Sequence, residues 1–254
     1  MVGERLMDRQ VSVEMLRKEA LVVLNKANAF IENGQLSKAC LELKQTVLKA
    51  EEIFRITNKA EDKEFLLETY MEMAKYYNRI YHITYDKKDI MPACMYYEKI
   101  IYFYDEELRN KPEDIVKTYR KILEAYVQLL WVSLEIKDYR IFNKFMPRAY
   151  YCSKKLSRKS KTYDDEQYLI LISIFRGDYF KIEGKFRSAY LFYYHAMKKM
   201  NKIYAQLPQE GIKNDLLLIY EHLSEVAKVL KFVKHKAKWD ERIKELKGVN
   251  ESDE

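Results

Sequence analysis

The segment Gly177-Asp178-Tyr179-Phe180-Lys181-Ile182-Glu183-Gly184-Lys185-Phe186-Arg187-Ser188-Ala189-Tyr190-Leu191-Phe192-Tyr193-Tyr194-His195-Ala196 reads as two helices and the turn that joins them. Upstream, Leu169, Ile172, Phe175 and Phe180 recur at three- to five-residue spacing, the stripe of a half-buried helix. Gly184 then stops that helix, because glycine adopts the left-handed conformation at a helix end without steric cost. Phe186 and, three residues later, the small Ala189 open the next helix. A small residue there lets the first helix approach closely.

The same device recurs. Gly34-Gln35-Leu36 leads to Ala39, Asp89-Ile90 to Ala93, and Asp138-Tyr139 to Phe142, where the small residue is replaced by a large one. The anchors 39, 93, 142 and 189 lie about 47–54 residues apart, which predicts one helical hairpin per interval. Between them run further stripes at helical spacing, such as Ala20, Val23, Leu24, Ala27, Phe30 and Ile31, then Leu66, Tyr70, Met73, Tyr77, Ile80 and Tyr81.

Chain-breaking residues are scarce. The 254 residues include 6 Gly and 4 Pro, well below the usual ~12% for the two together, so connections must be few and short. The breaks that exist agree with the stripes. Asp89-Ile90-Met91-Pro92 reads as a helix start with proline in the first turn, Lys111-Pro112-Glu113-Asp114 as a start marked by a proline and two acids, Leu207-Pro208-Gln209-Glu210-Gly211 as a break, and Thr162-Tyr163-Asp164-Asp165-Glu166 as another start. Pro147 predicts a kink or a new beginning. These marks give about nine long helices, near 11–33, 35–57, 62–86, 89–110, 113–137, 139–158, 164–183, 185–205 and 209–246. The fold class expected is all-α: an antiparallel helical-hairpin array forming one domain over 1–247, with a polar, frayed tail over 248–254.

The residues 177–196 resemble a tetratricopeptide repeat, in which a glycine and an aromatic mark the first helix and a small–aromatic–small series marks the second. Here these are Gly177, Tyr179, Ala189, Tyr193 and Ala196. The repeat is longer than the usual one, so the chain resembles a long-helix variant with a right-handed superhelical course. The series Gly177, Asp178, Lys181, Ala189, Phe192, Tyr193, His195 and Ala196 is also similar to the 14-3-3-like repeat domains of telomerase-associated and nonsense-mediated-decay factors. That resemblance implies a groove for a phosphorylated peptide. Those families place an arginine where this chain has Lys181 and commonly a tyrosine at Ile182, and a lysine lacks the bidentate fork that grips phosphate.

Composition bounds the function. A formal net charge of +7 favours acidic partners. Two basic stretches stand out: Lys154, Lys155, Arg158, Lys159 and Lys161 without an acid, and Lys231 through Lys247 along the last helix. Cys40, Cys94 and Cys152 form no C-x-x-C, which predicts reduced core thiols in a cytoplasmic setting. The N-terminus lacks a signal-peptide run, and no membrane insertion is expected. The histidines His82, His195, His222 and His235 have no zinc spacing, and His195 reads as an interior or interfacial residue. Neither a metal nor a cofactor is expected, and no enzyme motif is present.

Twenty-two tyrosines, with doublets at 76–77, 96–97, 150–151 and 193–194, can each place one ring in the core and one at a groove edge. The first helices of stacked hairpins would line a concave groove. Its candidate residues are Lys75 and Arg79, one turn apart, with Tyr76, Arg176 and Lys181. The expected function is a non-catalytic adaptor that binds an acidic or phosphorylated peptide of a protein partner there. Sequence-independent RNA or other nucleic-acid binding, and a ligand sensor or enzyme site inside the array, stay open, as does homo-oligomerisation.

Overall fold

The computed structural model describes residues 2–248, with side chains from Val13 onward. Among the described residues there are ten α-helices and no strand. They are α1 (Val2–Glu32), α2 (Leu36–Thr57), α3 (Ala60–Thr84), α4 (Lys87–Arg109), α5 (Ile115–Glu135), α6 (Tyr139–Lys159), α7 (Tyr163–Ile182), α8 (Phe186–Gln206), α9 (Glu210–Val229) and α10 (Val233–Lys247). The expected tail beyond Gly248 lies outside the described residues.

The helices form five hairpins. Each turn holds one residue in the left-handed region: Gly34 at φ 70°, Tyr85 at 53°, Lys137 at 58°, Gly184 at 70° and Lys231 at 57°. At four of them the chain closes the helix the same way. The amide of Gly184 donates to Lys181 O at 3.1 Å and that of Lys185 to Phe180 O at 2.8 Å; Gly34, Lys137 and Lys231 and their successors repeat the pair. This double bond satisfies carbonyls that a helix end leaves open. The anchors Ala39, Ala93, Phe142 and Ala189 are all fully buried at the start of second helices, as the repeat predicts.

Two boundaries differ from the sequence reading. The single helix expected over 209–246 is two, α9 and α10, because Lys231 takes the left-handed turn that glycine takes in two of the others. Pro92 lies past the first turn of α4, since Asp86 begins the helix by accepting from the Lys88 amide at 2.9 Å. At Pro147, read as a kink or a new beginning, α6 continues without a new start, over nearly the span expected. Pro112 precedes its helix, and Asp114 caps α5 by accepting from the Lys117 amide at 2.9 Å.

The chain packs as two compact units, Met1–Glu106 and Glu107–Glu254. In the first, Val13, Ala20 and Ile53 form a buried cluster joining α1 to α2. In the second, one continuous core runs from Ile170 through Tyr193, Met200, Leu216 and Leu223 to Trp239. Each unit contains the same clamp. In the first, Arg17 donates from Nε and Nη2 to Asp62 at 2.8 and 2.7 Å, and Thr57 adds a third bond at 2.6 Å. In the second, Arg120 makes the same bidentate pair with Asp165, both bonds at 2.7 Å, with the hydroxyls of Ser160 and Thr162 completing it. Both pairs are 45 residues apart. The Arg120 guanidinium holds the Asp165 carboxyl well below the usual carboxylate range.

Candidate partner interface on the second unit

Helix α6 carries seven cations and no acid in its 21 residues. Its apolar side, Phe142, Met146, Ala149, Cys152 and Leu156, is buried. The 3.6-residue period therefore turns Lys144, Arg148, Tyr151, Lys155 and Arg158 towards the other side. The Tyr150–Tyr151 doublet organises the charges. Arg148 lies over the Tyr151 ring at 5.2 Å and Lys155 over the same ring at 5.3 Å. Lys154 lies over Tyr150 at 5.2 Å. Tyr151 itself is nearly half exposed.

A further cation reaches Tyr150 from the next helix. The Arg176 guanidinium of α7 sits 4.8 Å from Tyr150 and 4.3 Å from Phe192 of α8, with Phe180 stacked on Phe192 at 5.5 Å. Burial lowers the Arg176 pKa, which marks a charge taken from water without a counter-ion. Stacking occupies the guanidinium faces and leaves its N–H edge for an in-plane acceptor. Among the described residues, no carboxylate is within ion-pair reach of Arg176, Lys154, Lys155, Arg158, Lys159 or Lys161. The helix C-terminus favours cations at 158 and 159, but it does not account for those near the tyrosines.

The other basic stretch is partly neutralised. On α10, Lys236 pairs with Asp240, Arg242 with Glu245 at 2.5 Å, and Lys247 with Glu221 at 3.0 Å.

The five residues expected to line a groove are divided between the units. Lys75, Tyr76 and Arg79 lie on α3 of the first unit. Lys75 pairs with Glu72 at 2.8 Å, and Arg79 is exposed. Tyr76, expected at the groove edge, is instead the inner ring of its doublet, buried with its hydroxyl donating to Leu36 O at 3.0 Å. Tyr77 is the outer, half-buried ring, its hydroxyl pushed up to about 12 by burial and by Cys40. Arg176 and Lys181 share α7 but diverge, for Lys181 turns to α9 and pairs with Glu225 at 2.8 Å.

The Gly177-Asp178 pair of the resemblance makes a packing joint. A Cβ at position 177 would meet the Tyr193 ring at 2.5–2.8 Å. The fully buried Tyr193 donates to Asp178 Oδ1 at 2.6 Å and stacks on His222 at 4.8 Å. His195, read as interior or interfacial, is exposed, and His222 is half-buried against Tyr193. Cys94 and Cys152 are buried core thiols, while Cys40 is half-buried. Among the described residues, no three His, Cys, Asp or Glu side chains come together as a metal site would need.

A cleft of about 520 Å³ opens between α8 and α10, floored by Leu216 and Tyr220 of α9. Its walls are aromatic: Tyr194 and Tyr204 on one side, Trp239 on the other.

No protein-family model and no curated protein matches this sequence. Among solved structures, BtubC (BKLC) from P. vanneervenii is similar at a TM-score of 0.56, with 15% identity over 98% of this chain and 91% of that one. That likeness concerns the fold alone. A de novo designed helical repeat protein, DHR64, aligns over 95% of this chain and 99% of its own at 16% identity and TM-score 0.39. The nuclear import adaptor Nro1 aligns over 96% and 97% at 12% identity and TM-score 0.36. Scores that low carry nothing beyond general helicity. No described helix is long and apolar enough to cross a membrane.

Proposed function

We propose that this chain is a non-catalytic interaction scaffold that docks an acidic or phosphorylated segment of a protein partner on the α6–α7 basic–aromatic face. One observation carries this reading: cations gathered on two adjacent tyrosines, Arg176 among them, with no carboxylate among the described residues reaching Lys154, Lys155 or Arg176. Like charges held close together raise one another's energy, and an incoming anion relieves that. The flat rings add contact area at small entropic cost. The site differs from the groove expected around Lys75 and Lys181, whose ammonium groups already hold Glu72 and Glu225.

The test is fluorescence anisotropy with a glutamate-rich peptide and its serine-phosphorylated form, against the full chain and a Lys154→Glu/Lys155→Glu variant. Affinity falling at least about tenfold in the variant, with helicity intact by circular dichroism, supports the reading. Equal binding by both proteins defeats it. A second reading has its own support: the exposed Tyr151 between two cations suits base stacking on single-stranded RNA. Oligouridine binding that falls steeply with salt while the peptides fail to bind would select it.

A further inference from the structure

The α8–α9–α10 cleft is separate from the α6 face and is built more rigidly than a gap between helices. Trp239 is almost fully buried, donates its indole N–H to the Tyr190 hydroxyl at 3.2 Å and stacks on Tyr220 at 5.7 Å. The Tyr220 hydroxyl is fixed by both ends of the Asn201 amide, at 2.9 and 3.1 Å. The polar tips of these two rings are therefore spent on the protein, and the two buried rings form the packed back of the cleft. Rings held in this way cost little to order when a ligand arrives.

The cleft's charge is unbalanced. Lys198 lies over Tyr194 at 4.9 Å and Lys238 over Trp239 at 5.1 Å, one on each wall, and both line the opening. Neither has a carboxylate partner among the described residues. The one lining acid, Glu245, is held by the lining Arg242 at 2.5 Å. Two unneutralised ammonium groups thus flank an aromatic-walled space whose volume is within the usual ~300–1,000 Å³ of ligand pockets.

We infer that this cleft binds a small planar aromatic anion, its ring beside the half-buried Tyr194 and Tyr204 and its phosphate, sulfonate or carboxylate drawn to Lys198 and Lys238. The rings supply apolar and stacking contact, and the ammonium groups supply point charges that accept any oxyanion geometry. A neutral ring would leave both charges without a partner. A bare oxyanion would gain too little from two solvated lysines to bind.

The probe is 1-naphthyl phosphate, titrated calorimetrically into the full chain beside 1-naphthol and inorganic phosphate. The expected result is a single site with a Kd of about 0.1 mM, and weaker binding by at least about tenfold for each half-molecule. Lys198→Gln/Lys238→Gln, two exposed positions on helices, should keep the wild-type melting curve and lose at least about tenfold in affinity. Lys154→Glu/Lys155→Glu should leave this binding unchanged, which keeps the cleft distinct from the α6 face. The inference is overturned if 1-naphthol binds as well as its phosphate, if inorganic phosphate alone matches it, if the Lys198/Lys238 variant binds normally, or if nothing binds at about 1 mM.

Discussion

Placing a methyl group at position 177 puts the Gly177–Tyr193 joint under direct load. In Gly177→Ala the new Cβ would lie 2.5 Å from Tyr193 Cε1, 2.7 Å from Cδ1 and 2.8 Å from Cζ. Those atoms belong to a fully buried ring whose hydroxyl is tied to Asp178 at 2.6 Å and whose plane is stacked on His222. The ring cannot swing away without giving up that bond and that stack, so α7 and α8 must separate instead. Overpacking of this kind costs about 1–3 kcal/mol. Against it stands the gain of replacing glycine by alanine inside a helix, about 1 kcal/mol. The net is a destabilisation of up to about 2 kcal/mol, to which the strained Tyr193–Asp178 hydrogen bond adds about 1 kcal/mol. At roughly 2–4 °C per kcal/mol for a chain of this size, the melting temperature by circular dichroism should fall by several degrees. Gly211→Ala is the control. It adds a Cβ with nothing within 4 Å, at the second residue of α9, and should be neutral or slightly stabilising. A Gly177→Ala protein as stable as the Gly211→Ala protein would refute the packing account and return the Gly-Asp pair to its status as an unexplained motif.

Other outcomes follow from the same structure. Asp165 is held below its ordinary pKa chiefly by Arg120, so its contribution is present above about pH 4 and is lost as pH falls towards its folded value; acid unfolding of Asp165→Asn should show a shallower limb than wild type, and superimposable curves would contradict this. Lys231→Gly relieves a non-glycine residue at φ 57°, and a urea titration should show a gain of about 1 kcal/mol. Phe142→Ala removes a fully buried ring from the α6 anchor and should cost about 3–5 kcal/mol in the same titration. Lys181→Ala breaks only the exposed bond to Glu225 and should leave peptide binding at the α6 face intact in the anisotropy assay.

The hairpin repeat was legible because its signals are local. Gly34 and Gly184 are glycines where the left-handed turn needs them, and Ala39, Ala93 and Ala189 are small where helices approach. Lys231 was not legible, since a lysine in that conformation is permitted by its surroundings and announces nothing in the chain. The site was read in fragments. The acid-free run at 154–161, the 150–151 doublet and Arg176 each stood out, but the box around Arg176 joins Tyr150, Phe180 and Phe192 from three helices. Doublets likewise announce that one ring turns inward without saying which; Tyr76 did so through a bond to Leu36, 40 residues away. The partner of Lys181 lies 44 residues on, at a distance no periodicity encodes.

The twin arginine–aspartate clamps bear on how such an array yields under tension. Each fastens the first helix of one hairpin to the start of the first helix of the next, α1 to α3 and α5 to α7, through paired bonds that must break together. A chain pulled from its ends would therefore peel in steps, the riveted neighbours letting go as couples.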